Sequence, residues 1–110
     1  MLHIELRRLA SLMLIAPLGC NTLSKLSHGM CDNLLTCIVR AWDLNSKKYP
    51  MIVAPAMNTV MYEQPNTSTQ LEFLGQTLGF KVLPTCHKKL ISKDEGLGAM
   101  LDVHSILQVV

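Results

Sequence analysis

The sequence predicts a three-layer α/β/α sandwich built on a parallel β-sheet. Three short apolar runs, at residues 12–16, 51–54 and 81–83, are each followed directly by a proline. None of them alternates apolar with polar residues, and unalternated runs are typical of parallel strands that are covered on both faces. Helical periods separate the runs, so the order strand, helix, strand, helix, strand indicates right-handed crossover connections.

The first crossover helix is predicted between the first two runs. Its apolar face carries Leu34, Leu35, Ile38, Ala41 and Trp42 at helical spacing. An Asp-Asn pair at residues 32 and 33 precedes this face and offers an N-cap.

The second crossover helix is predicted over residues 67–78. Three leucines share one face of this segment, and Gly79 can adopt the left-handed conformation that ends a helix. Phe80 is then expected to begin the third strand, and residues 104–110 to form a terminal helix.

Length and composition narrow the class of protein. With 110 residues, of which 49% are hydrophobic and 16% charged, the chain can bury one core and is not typical of disorder. The net charge of +2 is far from the clustered basic surface of a nucleic-acid-binding protein.

The apolar run at residues 12–18 falls short of the roughly 20 residues of a membrane-spanning helix. Glu5 and Pro17 spoil the weak signal-peptide pattern around it. We therefore expect a cytoplasmic protein with no nucleic-acid or membrane partner.

The four cysteines predict neither a metal site nor a disulfide framework. They stand at irregular spacings, without a Cys-x-x-Cys pair, at positions 20, 31, 37 and 86. We expect reduced thiols.

Three parallel strands alone would leave an apolar sheet edge and too few helices to cover both faces. The chain also opens on the amphipathic helical segment LHIELRRL. We therefore expect residues 1–110 to form a single partial domain. It would be the C-terminal half of a doubly wound fold, with the N-terminal strands absent.

Several ordered motifs resemble a known family. APLGCNT at residues 16–22 and PAMNTVMY at residues 55–62 resemble the P-x-S-A-N-T and P-x-M-N-x-x-M-W signatures of flavin-dependent cysteine decarboxylases. MCDNLLTCIVRAWD between them, LHIELRR before them and DEGLGAM after them are similar to the phosphopantothenoylcysteine decarboxylases of animals and of the plant halotolerance type. The resemblance implies a flavoprotein, Rossmann-like fold.

The resemblance also implies an activity. This family uses FMN to decarboxylate 4'-phosphopantothenoyl-L-cysteine to 4'-phosphopantetheine in coenzyme A biosynthesis. Oxidation of the cysteine side chain to a thioaldehyde supplies the electron sink for decarboxylation, and the resulting enethiol is then reduced. Relatives assemble as trimers with the pocket at the subunit interface.

By the same resemblance, His3 corresponds to the catalytic histidine, which acts as a base or orienting group. Asn58 corresponds to the asparagine that contacts the substrate's carboxylate and amide. Met61 is interpreted equally as a pocket wall or as core filling. The FMN-binding loop corresponds to Cys20, Asn21, Thr22 and Leu23.

One departure bears on catalysis. The family carries a proton-donating cysteine in a flap, and the aligned run KKLISKDEG places Ser92 at that position. A hydroxyl is a much weaker proton donor than a thiol, whose pKa is about 8.5. The final reduction is therefore expected to stall unless Cys86 substitutes.

Three hypotheses stay open. The chain is a decarboxylase, or it is a non-catalytic subunit or regulatory partner in a mixed trimer with a full-length homologue. The third hypothesis, an α/β domain with an unrelated ligand, explains the periodicities but not the ordered motifs.

Overall fold

A computed structural model of the chain describes residues 1–44, 49–89 and 95–110. Within them, helices and strands alternate along most of the chain. In order they are α1 (Leu2–Leu9), β1 (Met13–Leu18), α2 (Cys20–His28), α3 (Leu34–Ala41), β2 (Met51–Pro55), α4 (Thr59–Glu63), α5 (Pro65–Glu72) with its π-helical continuation (Phe73–Thr77), β3 (Lys81–Val82), β4 (Cys86–Lys89), β5 (Glu95–Ala99) and α6 (Val103–Val109).

The main sheet is parallel, as predicted, with β2 between β1 and β3. Val53 on β2 is in register with Ile15 on β1 and with Val82 on β3. The backbone N–H of Leu83 donates to the carbonyl of Val53 at 2.9 Å, which extends the pairing beyond β3. The three apolar runs are therefore the three strands of one sheet.

Strand β2 is buried on both faces, which creates the three layers. Successive side chains of a strand point to opposite faces. Met51 and Val53 enter a cluster with residues of α2, α3 and the π-helical segment, whereas Ile52 and Ala54 pack with Ile106 of α6. The predicted α/β/α arrangement is confirmed.

The first crossover helix is confirmed as α3, and its start has a local cause. The Asn33 side chain accepts a hydrogen bond from the Thr36 N–H at 2.9 Å, and the Thr36 hydroxyl accepts one from the Asn33 N–H at 3.1 Å. This reciprocal capping box satisfies two backbone donors at the N-terminus. The predicted apolar face is wrong at Leu34, which is 47% exposed, while Val39 is buried instead.

The second crossover helix is also confirmed. It runs from Pro65 through the π-helical segment to Thr77, and Leu74 on its predicted face is fully buried. Gly79 has a φ of 78°, the left-handed conformation expected after a helix end. The third strand begins at Lys81, one residue later than predicted, because the Phe80 N–H still bonds to the carbonyl of Leu74.

Three elements differ from the predictions. Residues 20–23, expected in a loop, form the first turn of α2, because Leu23 and Leu26 give this helix a buried face. The antiparallel hairpin of β4 and β5 is a second, smaller sheet that the apolar pattern did not indicate. The terminal helix starts at Val103 with Asp102 as its N-cap.

Among the described residues, no helix has the length and apolar character needed to cross a membrane.

The cap of α6 predicts a pH-dependent stability. The Ser105 backbone N–H, and after it the Ser105 hydroxyl, donate to the Asp102 carboxylate and lower the pKa of that group. A lowered folded-state pKa adds stability above the unfolded pKa, and this stability is lost as the pH falls through the folded value. We expect Asp102→Ala to lower the thermal midpoint at pH 7.

The difference in thermal midpoint between Asp102→Ala and the parent chain should shrink below about pH 4, where the aspartates protonate. Asp102→Asn, which keeps a side-chain oxygen acceptor, is the matched control. Equal thermal midpoints for Asp102→Ala and the parent chain at pH 7 would contradict a stabilising cap of α6 by the Asp102 carboxylate.

Candidate functional site

The candidate site lies where β1 and β2 end. Leu18 is in register with Pro55, and the Ala56 N–H donates to the carbonyl of Leu18 at 3.0 Å. The segments that follow the two strands, Gly19 into α2 and Met57 into α4, therefore start side by side. The carboxyl ends of parallel strands are where α/β sheets bind ligands.

The first half of the site is the N-terminus of α2. Gly19 is its N-cap and has no side chain to satisfy the first backbone donors. The first intrahelical bond is from the Leu23 N–H to the carbonyl of Gly19, at 2.9 Å. The N–H groups of Cys20, Asn21 and Thr22 precede it, at the positive end of the helix, and they suit acceptor or anionic atoms of a ligand.

The four residues predicted to contact the cofactor differ in exposure. Asn21 is exposed, and Cys20 and Thr22 are half-buried. Leu23 is fully buried in the main core cluster. The Leu23 side chain therefore anchors the first turn of α2 and does not reach its surface.

The second half of the site is Asn58. Its side-chain oxygen accepts a hydrogen bond from the Met61 N–H at 3.0 Å and so caps α4. Within the described residues, no protein group accepts from its amide nitrogen, and the side chain is exposed. The oxygen of Asn58 is therefore engaged within the chain, whereas its amide nitrogen remains available as a hydrogen-bond donor.

The methionines beside Asn58 have different environments. Met57 packs against the main core cluster, whereas Met61 is 41% exposed. Core filling within this chain is therefore wrong for Met61. The hydroxyl of the buried Thr67 donates to the carbonyl of Met61 and holds this turn from the side of α5.

The hairpin contacts the site through β5. The Met57 N–H donates to the carbonyl of Gly98 on β5 at 2.8 Å. The thiol of Cys86, at the start of β4, donates to the carbonyl of Met100 at 3.1 Å. Sequence reasoning did not identify Gly98 or Thr67 as site residues, because neither gives a periodic or chemical signal. Gly98 stands in the family motif DEGLGAM, but the motif gave it no role of its own.

The structure does not bring every predicted residue into this arrangement. His3 is half-buried on α1, and α1 packs chiefly against α3. Ser92 lies outside the described residues. In the described part of the chain, no three histidine, cysteine or acidic side chains cluster as a metal site.

A parallel sheet covered by helices, with hydrogen-bond donors gathered at its carboxyl edge, defines the class of ligand-binding α/β domains. The sequence model of one family, described as Flavoprotein, matches residues 1–110. The chain belongs to this family.

Curated relatives are similar over nearly the whole chain. Phosphopantothenoylcysteine decarboxylase of Mus musculus is 52% identical over 109 residues, which cover 99% of this chain and 52% of the relative. The protein of that name from Oryza sativa subsp. japonica is 54% identical over 101 residues, which cover 92% of this chain and 44% of the relative. The chain thus spans about half the length of the curated relatives it matches.

Solved structures agree with the fold. A PPC decarboxylase mutant complexed with pantothenoylaminoethenethiol superposes with a TM-score of 0.87 at 49% identity, covering 98% of this chain and 59% of that one. The FMN binding protein AtHal3 gives a TM-score of 0.82 at 49% identity, covering 98% of this chain and 58% of that one.

The cap that the Asn58 side chain provides for α4 can be tested by substitution. Asn58→Ala removes the cap of α4 and should lower the free energy of unfolding by about 1 kcal/mol. Asn58→Asp retains an oxygen for the Met61 N–H, and we expect it to unfold within about 0.5 kcal/mol of the parent chain. Urea denaturation measures both values.

Asn66→Ala, at an exposed position on α5, is the matched control. Its free energy of unfolding should stay within about 0.5 kcal/mol of that of the parent chain. Equal losses of unfolding free energy in Asn58→Ala and Asn58→Asp would argue against a cap of α4 by the Asn58 oxygen.

Proposed function

We propose that the chain takes part in the FMN-dependent decarboxylation of 4'-phosphopantothenoyl-L-cysteine to 4'-phosphopantetheine, a step of coenzyme A biosynthesis. The observation that carries this proposal is the pairing of two donor groups at the carboxyl edge of the sheet. They are the N-terminus of α2 and the side-chain amide of Asn58. The similarity to decarboxylases over 99% of the chain supports it.

The residues present fit FMN. An isoalloxazine ring and a phosphate both offer acceptor oxygens, and the N–H groups of Cys20, Asn21 and Thr22 are donors without a partner inside α2. Leu23 holds this turn in the core. When bound, FMN supplies the oxidation of the cysteine side chain and the return of those electrons. The protein residues bind and orient the reactants.

Asn58 is the proposed substrate ligand. Its amide nitrogen can donate to the substrate's carboxylate without adding charge, and its oxygen stays committed to the cap of α4. The exposed Met61 side chain, one turn further on, is proposed as an apolar wall for the substrate.

His3 is the proposed base or orienting group, because it stands in the family motif LHIELRR and an imidazole can both accept and donate a proton. Its place on α1, which packs chiefly against α3, is compatible with a pocket completed by a second subunit. A homotrimer, or a mixed trimer with a full-length homologue, is therefore part of the proposal, and so is a cytoplasmic location.

The serine at position 92 favours a second candidate function. If this hydroxyl replaces the family's proton donor, the chain acts as a catalytically impaired subunit or as a regulatory partner in the mixed trimer. Cys86 is a poor substitute, because its thiol already donates to the carbonyl of Met100.

Loss of the histidine tests the catalytic proposal. The chain loaded with FMN should release carbon dioxide from carboxyl-labelled 4'-phosphopantothenoyl-L-cysteine. His3→Asn should slow this release by about 10² to 10⁴, the range of general acid–base catalysis. His28→Asn changes an exposed histidine at the far end of α2 and should leave the rate unchanged. Absence of labelled carbon dioxide from the parent chain would refute the catalytic proposal and leave the partner role.

Replacement of the serine separates the two half-reactions. We expect the parent chain to release carbon dioxide with an oxidised enethiol product, and Ser92→Cys to yield 4'-phosphopantetheine, because a thiol can donate the proton that a hydroxyl does not. Mass spectrometry distinguishes the products. Ser68→Cys, at an exposed position on α5, is the control for an added thiol. Equal 4'-phosphopantetheine yields from the parent and Ser92→Cys would show that the serine is no obstacle.

A further inference from the structure

Gly98 is a point of close contact between the hairpin and the turn that carries Asn58. It is buried, and its carbonyl accepts the hydrogen bond from the Met57 N–H at 2.8 Å. A Cβ atom at this position would lie 2.3 Å from the Met57 carbonyl oxygen and 2.9 Å from the Tyr62 Cβ. Met57 precedes α4, and Tyr62 lies within it.

The requirement for glycine at this position is steric. Gly29 and Gly79 have positive φ angles, whereas Gly98 does not, so its backbone conformation is open to other residues. The atom that a side chain would strike belongs to the backbone of Met57, which cannot move aside by a change of rotamer. Any larger residue must therefore change the spacing between β5 and the segment that leads into Asn58.

The same turn has a second contact, with α5. Thr67 on α5 is only 3% exposed, and its hydroxyl donates to the Met61 carbonyl. The turn from Met57 to Met61 is thus bonded to β5 at its first residue and to α5 at its last, and within it the Asn58 side chain remains exposed. A shift of the Met57 end of this turn would therefore move Asn58 relative to a Met61 end that α5 holds.

We propose that Gly98 is a positioning residue, which joins the β4–β5 hairpin to the Met57–Asn58 backbone and so sets where the Asn58 amide stands. The identity of the substrate that Asn58 receives rests on the proposed function. The contact between Gly98 and Met57, called the joint below, does not rest on the proposed function, since it lies within the chain.

Gly98→Ala tests the effect on binding. We expect the dissociation constant of 4'-phosphopantothenoyl-L-cysteine, measured by calorimetry on the FMN-loaded chain, to rise at least about tenfold, equivalent to about 1.4 kcal/mol. The visible flavin spectrum should be unchanged, because α2 is not displaced. Gly75→Ala is the matched control, since its Cβ would meet the Val82 Cγ2 at an ordinary 3.7 Å. Parental affinity in Gly98→Ala would overturn the proposal.

Amide hydrogen exchange of the parent chain tests the joint without substrate and without a variant that has to fold. The Ala56 N–H bonds to Leu18 in the main sheet, whereas the neighbouring Met57 N–H bonds to Gly98 in the hairpin. Met57 should therefore open together with the β4–β5 amides, with the same dependence on low urea concentrations, and Ala56 should open with the main sheet.

The two experiments fail separately. A parent chain that binds no 4'-phosphopantothenoyl-L-cysteine refutes the proposed function, and the exchange experiment still decides the joint. If Met57 exchanges with Ala56 while the hairpin opens independently, Gly98 is not the joint and the inference is wrong.

Discussion

The parallel pairing of β1 with β2 is the constraint on which the candidate site depends. Leu18 is in register with Pro55, and the hydrogen bond from the Ala56 N–H to the Leu18 carbonyl continues this pairing. The segments that follow β1 and β2 therefore leave the sheet at the same place. Strand β2 is buried on both faces, so a slip of one residue would exchange its two apolar sets between layers of different size. The same burial that stabilises the sheet therefore aligns the start of α2 with the turn before α4.

Much of the fold was predictable because its signals are local. Unalternated apolar runs before prolines at positions 17, 55 and 84 identified the three strands, and the spacing of the leucines around Leu74 identified the second crossover helix. Helix α2 was missed because the segment CNTLSKLSH is mostly polar, and its burial rests on Leu23 and Leu26 alone. The hairpin was missed because β4 is short and mostly polar and β5 contains two glycines, so that their structure depends on pairing with each other.

The candidate site was less predictable than the fold. Motif resemblance located Asn58, but not that its oxygen caps α4, since a cap depends on backbone geometry that residue type alone does not fix. It grouped Leu23 with the ligand-binding residues, whereas burial assigns its side chain to the core. Gly98 on β5 and Met57, in the segment between β2 and α4, lie 41 positions apart in sequence, and no local pattern encodes their contact.

The capping bond of Asn58 has a consequence for how ligand and protein influence one another. One amide group carries an available donor on its nitrogen and accepts from the Met61 N–H through its oxygen. A hydrogen bond from the nitrogen to an anion polarises the amide and makes its oxygen a stronger acceptor, because hydrogen bonds in a chain reinforce one another. An anion at Asn58 therefore strengthens the first turn of α4, and an ordered turn raises the affinity for the anion by the same free energy.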